Sequence, residues 1–392
     1  MSFVRGAGAA VFGMSLVLSL SACADDDSGP LPAADVVATA APSATPTPTP
    51  TPAPQQFTVV ASGDLLIHPG VWWRAEREAK GTSARYDFFP ALSALEPLIA
   101  GADIAICHLE GPMGAAGAEP KGFPLFQNPP ELAVAVAKLG YDTCSTASNH
   151  GIDQGEAGVN STLAALDAAG VAHVGTARNA DEDKPVLLDA NGVTVAHLSY
   201  TYGHNNARPA DKPWLINTLA DKSILDDARA ARAAGAEVVI ASLHWGVEFV
   251  TNPTADQISL ATELMDSGEI DLVIGHHAHV VQAIEAFGDR YVAYGLGNVI
   301  SALSHDFASG ASREGIVPKF TFTRDGDRWK VTDIEVTPTF VSPVGGLHTA
   351  DVATDLARKP AGEDLARLRR ARDRTVATVY SRGVDDTVVR VR

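Results

Sequence analysis

Acidic, carboxamide and imidazole side chains recur in this sequence immediately after short apolar runs. Phe57 to Ser62 is followed by Gly63-Asp64, with His68 four residues on. Ile104 to Cys107 leads into His108-Leu109-Glu110-Gly111, and Thr143 to Thr146 into Ser148-Asn149-His150-Gly151-Ile152-Asp153. Val238 to Leu243 precedes His244-Trp245-Gly246-Val247-Glu248, Leu272 to Ile274 precedes Gly275-His276-His277-Ala278-His279, and a later turn carries Gly297-Asn298. Taken singly, each group has a plain structural use: Asp64 as a helix cap, Asn149 as a turn residue, His244 as a satisfied core histidine. The cluster His276, His277 and His279 resists that reading, because crowded imidazoles repel when protonated and gain most by sharing a divalent cation. Carboxylate, amide oxygen and imidazole together suit first-row ions such as Mn, Fe or Zn, and there are enough donors for two adjacent divalent ions. Two such ions roughly 3.5 to 4 Å apart lower the pKa of water and stabilise the charge of an in-line phosphoryl displacement.

The elements that must position these groups follow from the apolar patterning. The five runs named above read as buried strands. Between them, Pro90 to Ala100, Pro130 to Leu139, Glu156 to Ala169, Leu219 to Ala234 and Ala255 to Ser267 carry helical spacing and helix formers. That alternation predicts α/β layering around a largely parallel sheet, and ligands of such sheets collect beyond the carboxyl ends of the strands. Val193 to Ser199, Val280 to Ala286, Tyr291 to Ala293, Ile316 to Thr323 and Trp329 to Thr337 are strand-rich and suit a second sheet packed beside the first. Glu363 to Thr378 reads as a charged C-terminal helix.

Composition narrows the function classes. With 47 acidic against 30 basic residues the net charge is −17, which excludes a partner bound through a nucleic-acid backbone. Hydrophobic residues make up 46%, enough to close a core. Near the N-terminus, Arg5 leads into the apolar run Gly6 to Leu20, shorter than the roughly 20 residues a transmembrane helix needs, so it reads as an export signal. Its ending, Leu20-Ser21-Ala22-Cys23, resembles a bacterial lipobox, which implies lipidation of Cys23 and an anchor on the outer face of the cytoplasmic membrane. Residues 24–56, with Thr-Pro repeats from Thr45 to Pro52, read as an extended tether reaching on the order of 100 Å.

In their order along the chain, Gly63-Asp64, Leu109-Glu110-Gly111, Asn149-His150 with Asp153, His244-Trp245-Gly246-Val247-Glu248 and Gly275-His276-His277-Ala278-His279-Val280 resemble the CapA (PgsA-type) capsule and poly-γ-glutamate biosynthesis proteins. These belong to the calcineurin-like metallophosphatase superfamily. The resemblance runs over roughly Phe57 to Ile300. It implies a layered α/β sheet sandwich flanked by helices over 57–345, with 346–392 as a C-terminal extension. It makes Asp64 and His279 ligands of one ion, Glu110 the bridge where most metallophosphatases have Asp, and Asn149, His244 and His277 ligands of the second ion. His276 ranks below His277 and His279. His150 faces substrate as an acid and is not a ligand, and Asp153, one helical turn away, orients it. Two positions depart from the pattern: Asp64 and His68 are separated by three residues where Asp-x-His is usual, and His108 stands where Asn is common. The implied activity is metal-dependent hydrolysis of a phosphoester or of an envelope-polymer amide; the alternative is a non-catalytic part of a polymer synthase or export complex. The implied partners are an anionic envelope polymer and, through the anchor, the membrane.

Three further segments carry expectations. Cys107 and Cys144 sit in strands leading to the same rim, as buried thiols or as a disulfide between neighbouring strands. Trp72-Trp73 lines a wall of the cleft or packs under the first loop. Tyr200 to Pro213, with His204, Asn205, Asn206 and Arg208, is a polar loop placed to cover the site.

Overall fold

A computed structural model describes residues 55–304 and 307–392; Cys23 and all but the end of the tether lie outside them. The first sheet contains β1 (Gln56–Leu65), β2 (Ile104–Leu109), β3 (Thr143–Ser145), β4 (Ala172–Val174), β11 (Asn298–Ile300), β12 (Glu314–Asp325), β13 (Arg328–Ser342), β14 (His348–Asp351) and β15 (Val389–Val391). The second contains β5 (Val186–Ala190), β6 (Val193–Thr201), β7 (Val238–His244), β8 (Leu272–His276), β9 (Ile284–Phe287) and β10 (Arg290–Ala293). Their orders are β14-β13-β12-β1-β2-β3-β4, with β11 beside β1 and β15 beside β13, and β5-β6-β7-β8-β10-β9. The strands expected in one central sheet are thus divided: β1 to β3 run parallel in the first, while β7 and β8 run parallel in the second, where β6 pairs with β7.

Strand alternation explains the layering, because successive side chains point to opposite faces. Phe57, Val59, Ala61, Ile104 and Ile106 meet Val195, Val238, Ile240, Leu272 and Ile274 in a core between the sheets. The intervening Val60, Ala105, Cys107 and Leu109 face an outer core with the helices α1 (Pro69–Glu78), α2 (Phe89–Leu92), α3 (Glu96–Ile99) and α4 (Glu131–Leu139), joined at its edge by α5 (Gly155–Ala169). On the other outer face, Val239, Ala241 and Leu243 pack with α6 (Ile224–Ala233) and α7 (Ala255–Ser267). The architecture is a four-layer helix–sheet–sheet–helix sandwich. Helix limits reflect local chemistry: Thr254 and Gln257 form a capping box at the start of α7, and Gly140, Gly170 and Gly268 end α4, α5 and α7 in the left-handed conformation. Ser223 caps α6, so that helix starts later than Leu219.

Residues 346–392 supply β14 and β15 to the first sheet, and α8 (Val352–Arg358) and α9 (Leu365–Val379) pack against Phe340 of β13. The first sheet therefore continues across position 345. Pro69–Glu78 is a helix rather than a loop, with Trp72 buried and Trp73 exposed. Cys107 and Cys144, directly opposite on β2 and β3 with Cα atoms 4.5 Å apart, form a disulfide. Among the described residues no helix is long and apolar enough to cross a membrane.

Candidate metal centre

Strand register gathers the ligand types before any side chain is considered. Asp64 pairs with His108 across β1 and β2 and with Asn298 across β1 and β11, while His244 pairs with His276 across β7 and β8. The ends of both sheets thus meet at one place. Close backbone approach makes this register available: a Cβ at Gly63 would fall on the carbonyl of Gly297, and one at Gly275 on the carbonyl of Tyr294. A glycine immediately before Asp64 and before His276 is needed for that approach.

The side chains converge accordingly. Asp64, 1% exposed, has His276 Nδ1 2.9 Å from its Oδ1 and His279 Nδ1 3.3 Å from its Oδ2, which also accepts the His277 backbone N–H at 3.1 Å. Glu110, also 1% exposed, approaches His279 Nε2 at 3.3 Å. Beside them, Asn149 Oδ1 lies 2.9 Å from His244 Nε2, and His244 Nδ1 lies 2.9 Å from His108 Nε2. The His108 ring stacks on His276 with centroids 4.0 Å apart, and its Nδ1 meets Ser145 Oγ at 2.6 Å. The rings of His277 and His244 are 4.7 Å apart, and a nitrogen of His277 lies within 4.8 Å of donors from His279 and Glu248.

Asp64, Glu110, Asn149, His244, His277 and His279 are therefore brought together. His276 and His108 join Asp64 in a group of their own, closer to the centre than their sequence ranking implied. His68 stands at the N-cap position of α1 without a side-chain capping bond, its Nδ1 accepts the Ala302 N–H at 3.3 Å, and its ring meets the edge of Phe126; it belongs to none of the three donor groups found among the described residues. Sequence reasoning left Asn298, Glu248, Ser145 and Ser148 off the site. Asn298 Oδ1 lies 3.1 Å from His279 Nδ1, and Ser148 Oγ donates to the Glu110 carbonyl while accepting the His150 N–H. Asn298 and Glu248 stand inside motifs the sequence offered; the serines gave no separate signal.

The electrostatics call for positive charge. Burial alone would depress His279, but Glu110 and Asp64 beside it push it well above its ordinary value. Burial is opposed at Asp64 too, where hydrogen bonds from His276 and His279 hold the carboxyl well below the usual range. Burial and neighbouring imidazoles depress His108, His244 and His277, the last to about 4, so these three rings are neutral donors near pH 7. Glu110 Oε2, His276 Nε2 and His277 Nδ1 are buried without a hydrogen-bond partner. Buried polar atoms are rarely left so, and unpaired carboxylate and imidazole atoms of these donor groups fit divalent cations. His277 and His279 also hold left-handed backbone, φ +84° and +54°, a strain found at functional sites.

Next to this cluster, His150 Nδ1 lies 2.6 Å from Asp153 Oδ2, which also accepts the Phe126 N–H at 2.7 Å. The Phe126 ring stands edge-on to His150, and Asn205 Nδ2 is 3.3 Å from His150 Nε2. Asn205 also donates its backbone N–H to the Asn149 carbonyl, so the loop after β6, which begins at Tyr202 rather than Tyr200, lies against Asn149 and His150.

A two-sheet α/β sandwich whose strand ends gather carboxylate, amide and imidazole donors has the donor chemistry that a divalent-metal site needs. Residues 58–303 match the family described as bacterial capsule synthesis protein PGA_cap, and the chain belongs to that family. A capsule biosynthesis protein CapA of Bacillus anthracis is 30% identical over 43% of this chain and 42% of its own length. A PGA biosynthesis protein CapA of Bacillus subtilis is 26% identical over 55% and 56%. The chain thus spans about half the length of these relatives. Among solved structures, the calcineurin-like phosphoesterase YfkN of Bacillus subtilis is 15% identical over 82% of this chain and 96% of that one, with a TM-score of 0.39. That likeness is distant, and the functional reading rests on the side chains themselves.

Proposed function

We propose that this chain is a surface-anchored, metal-dependent hydrolase of phosphoester type acting in capsule or poly-γ-glutamate assembly, held to the membrane by a lipid on Cys23. The observation that carries the hydrolase reading is the meeting of Asp64, Glu110 and His279 within 4.8 Å, flanked by the buried His150–Asp153 pair. Asp64 and His279 would hold one divalent ion, Asn149, His244 and His277 a second, with Glu110 between them. Divalent ions bound there would supply Lewis-acid charge to a phosphoryl oxygen. In its doubly protonated form, with the Nδ1–H held by Asp153, His150 would deliver the Nε2 proton to the leaving oxygen and be left as the neutral Nδ1–H imidazole. Phe126 and the Asn205 loop keep bulk water from that proton.

Involvement with capsule or poly-γ-glutamate is supported by the family and by the names of the two CapA relatives. One feature favours the second reading, a non-catalytic role in a polymer assembly or export complex: Glu110 is one methylene longer than the Asp usual at the bridge. The two readings separate in one experiment. Bound metal per chain and hydrolysis of p-nitrophenyl phosphomonoester and phosphodiester are measured for the parent, His277→Ala and His150→Ala. The hydrolase reading expects His277→Ala to lose metal and turnover together and His150→Ala to lose turnover with metal retained. A parent that holds metal and cleaves neither ester favours the assembly role.

A further inference from the structure

Cavities of ligand size lie both near and far from the strand-end cluster. One of about 620 Å³, among β4, β5 and α6, is lined by His173, Leu187 and Ala231 and shares no residue with the cluster. Another, about 470 Å³, is lined by Tyr202, Leu219, Trp245, Val247 and Leu260. Tyr202 belongs to both cavity and cluster, its ring centroid 4.6 Å from that of His277 and 6.3 Å from that of His244. The volume falls within the roughly 300–1,000 Å³ usual for small-molecule sites.

The walls fix the chemistry of an occupant. Polar groups there are already engaged: Trp245 Nε1 donates to the Tyr294 carbonyl at 2.9 Å, and Gln257 accepts the Thr254 N–H while donating to Gln282 Oε1, each at 2.9 Å. The charged lining side chain is Asp256, whose sign opposes a carboxylate or phosphate. Tyr202 and Val247, 46% and 51% exposed, add open apolar surface to this lining. An anionic glutamyl unit finds no partner here, whereas a hydrocarbon chain finds apolar contact.

We infer that this cavity is the subsite for an alkyl chain on the substrate, and that the phosphoester hydrolysed is a lipid phosphoester whose phosphoryl group meets the strand-end cluster. The inference rests on the phosphoester reading given above. Each methylene buried in the cavity should tighten binding about fourfold.

The test is calorimetric binding of methylphosphonate, octylphosphonate and octanol to the Mn²⁺-supplemented full chain. Octylphosphonate is expected to bind at least about 100-fold more tightly than methylphosphonate. Ala220→Trp, which fills the cavity from its rim, and Val247→Asp, which charges its wall, should each abolish that preference and leave methylphosphonate affinity unchanged. Equal affinities for the two phosphonates in the parent, or a preference that survives both substitutions, overturns the subsite. Binding of octanol with no binding of either phosphonate overturns the phosphoester reading and keeps the apolar subsite.

Discussion

Replacing His279 with asparagine should expose how strongly the centre depends on positive charge. In EDTA-treated protein, the charge opposing Asp64 and Glu110 is the imidazolium of His279, 3.3 Å from a carboxylate oxygen of each. Both carboxylates are 1% exposed, so water screens them little. Asparagine tolerates the left-handed backbone at φ +54°, which isolates the loss of charge from backbone strain. Removing one partner of a buried ion pair costs about 3–5 kcal/mol. With a urea slope of about 3 kcal/mol per M, the denaturation midpoint should fall by about 1 to 1.7 M at unchanged slope. Glu110→Gln alone, which leaves Asp64 to balance His279, should cost less than about 1.5 kcal/mol. The pair Glu110→Gln/His279→Asn should recover part of the single loss, giving a coupling of about 1–3 kcal/mol. A midpoint for His279→Asn within about 0.2 M of the parent would refute the claim that two buried charged carboxylates converge on this ring.

Other consequences are independent of that one. Asp153→Asn should lower phosphoester turnover about 10- to 100-fold while metal content stays at the parental level, and metal loss in that variant would place Asp153 among the ligands. Gly275→Ala drives a methyl into the Tyr294 carbonyl and should reduce stability by more than about 1 kcal/mol in a melting experiment; a parental melting temperature would contradict the close approach. Cys23→Ser should move the protein from the membrane to the soluble fraction on cell fractionation, and unchanged retention would reject the lipid anchor.

The convergence of the candidate ligands was legible because chemistry and topology coincide: a buried parallel strand is a short apolar run, and the residues just beyond its last apolar position stand at the open end of the sheet. That logic placed Asp64, Glu110, Asn149, His244, His277 and His279 on one rim from residues far apart in sequence, with the family resemblance assigning their roles, and it also offered His68, which stands outside the donor groups. It did not reveal which strands share a sheet. Val193–Thr201 does share a sheet with β9 and β10, but it pairs with β7, while Ile316 to Thr323 and Trp329 to Thr337 fall in β12 and β13 beside β1, because partner choice is decided by packing between sheets. His276 was undervalued for the same reason, since its contact with Asp64 depends on how the two sheets face each other, and His108 because its place beside Asp64 is set by the register of β1 and β2. Register likewise decides that Cys107 and Cys144 stand opposite, a fact absent from their spacing. The helix Pro69–Glu78 was hidden by adjacent tryptophans and a glycine at its second position; burial of Val71, Trp72 and Ala75 outweighs that weak local preference.

The account depends most on divalent ions binding where the sheet ends meet, and anomalous scattering from crystals grown with Mn²⁺ measures that directly. Two peaks per chain are predicted, one against Asp64 and His279, one against Asn149, His244 and His277, with Glu110 reaching both. Crystals that show ordered side chains at these residues and no anomalous peak among them would contradict it.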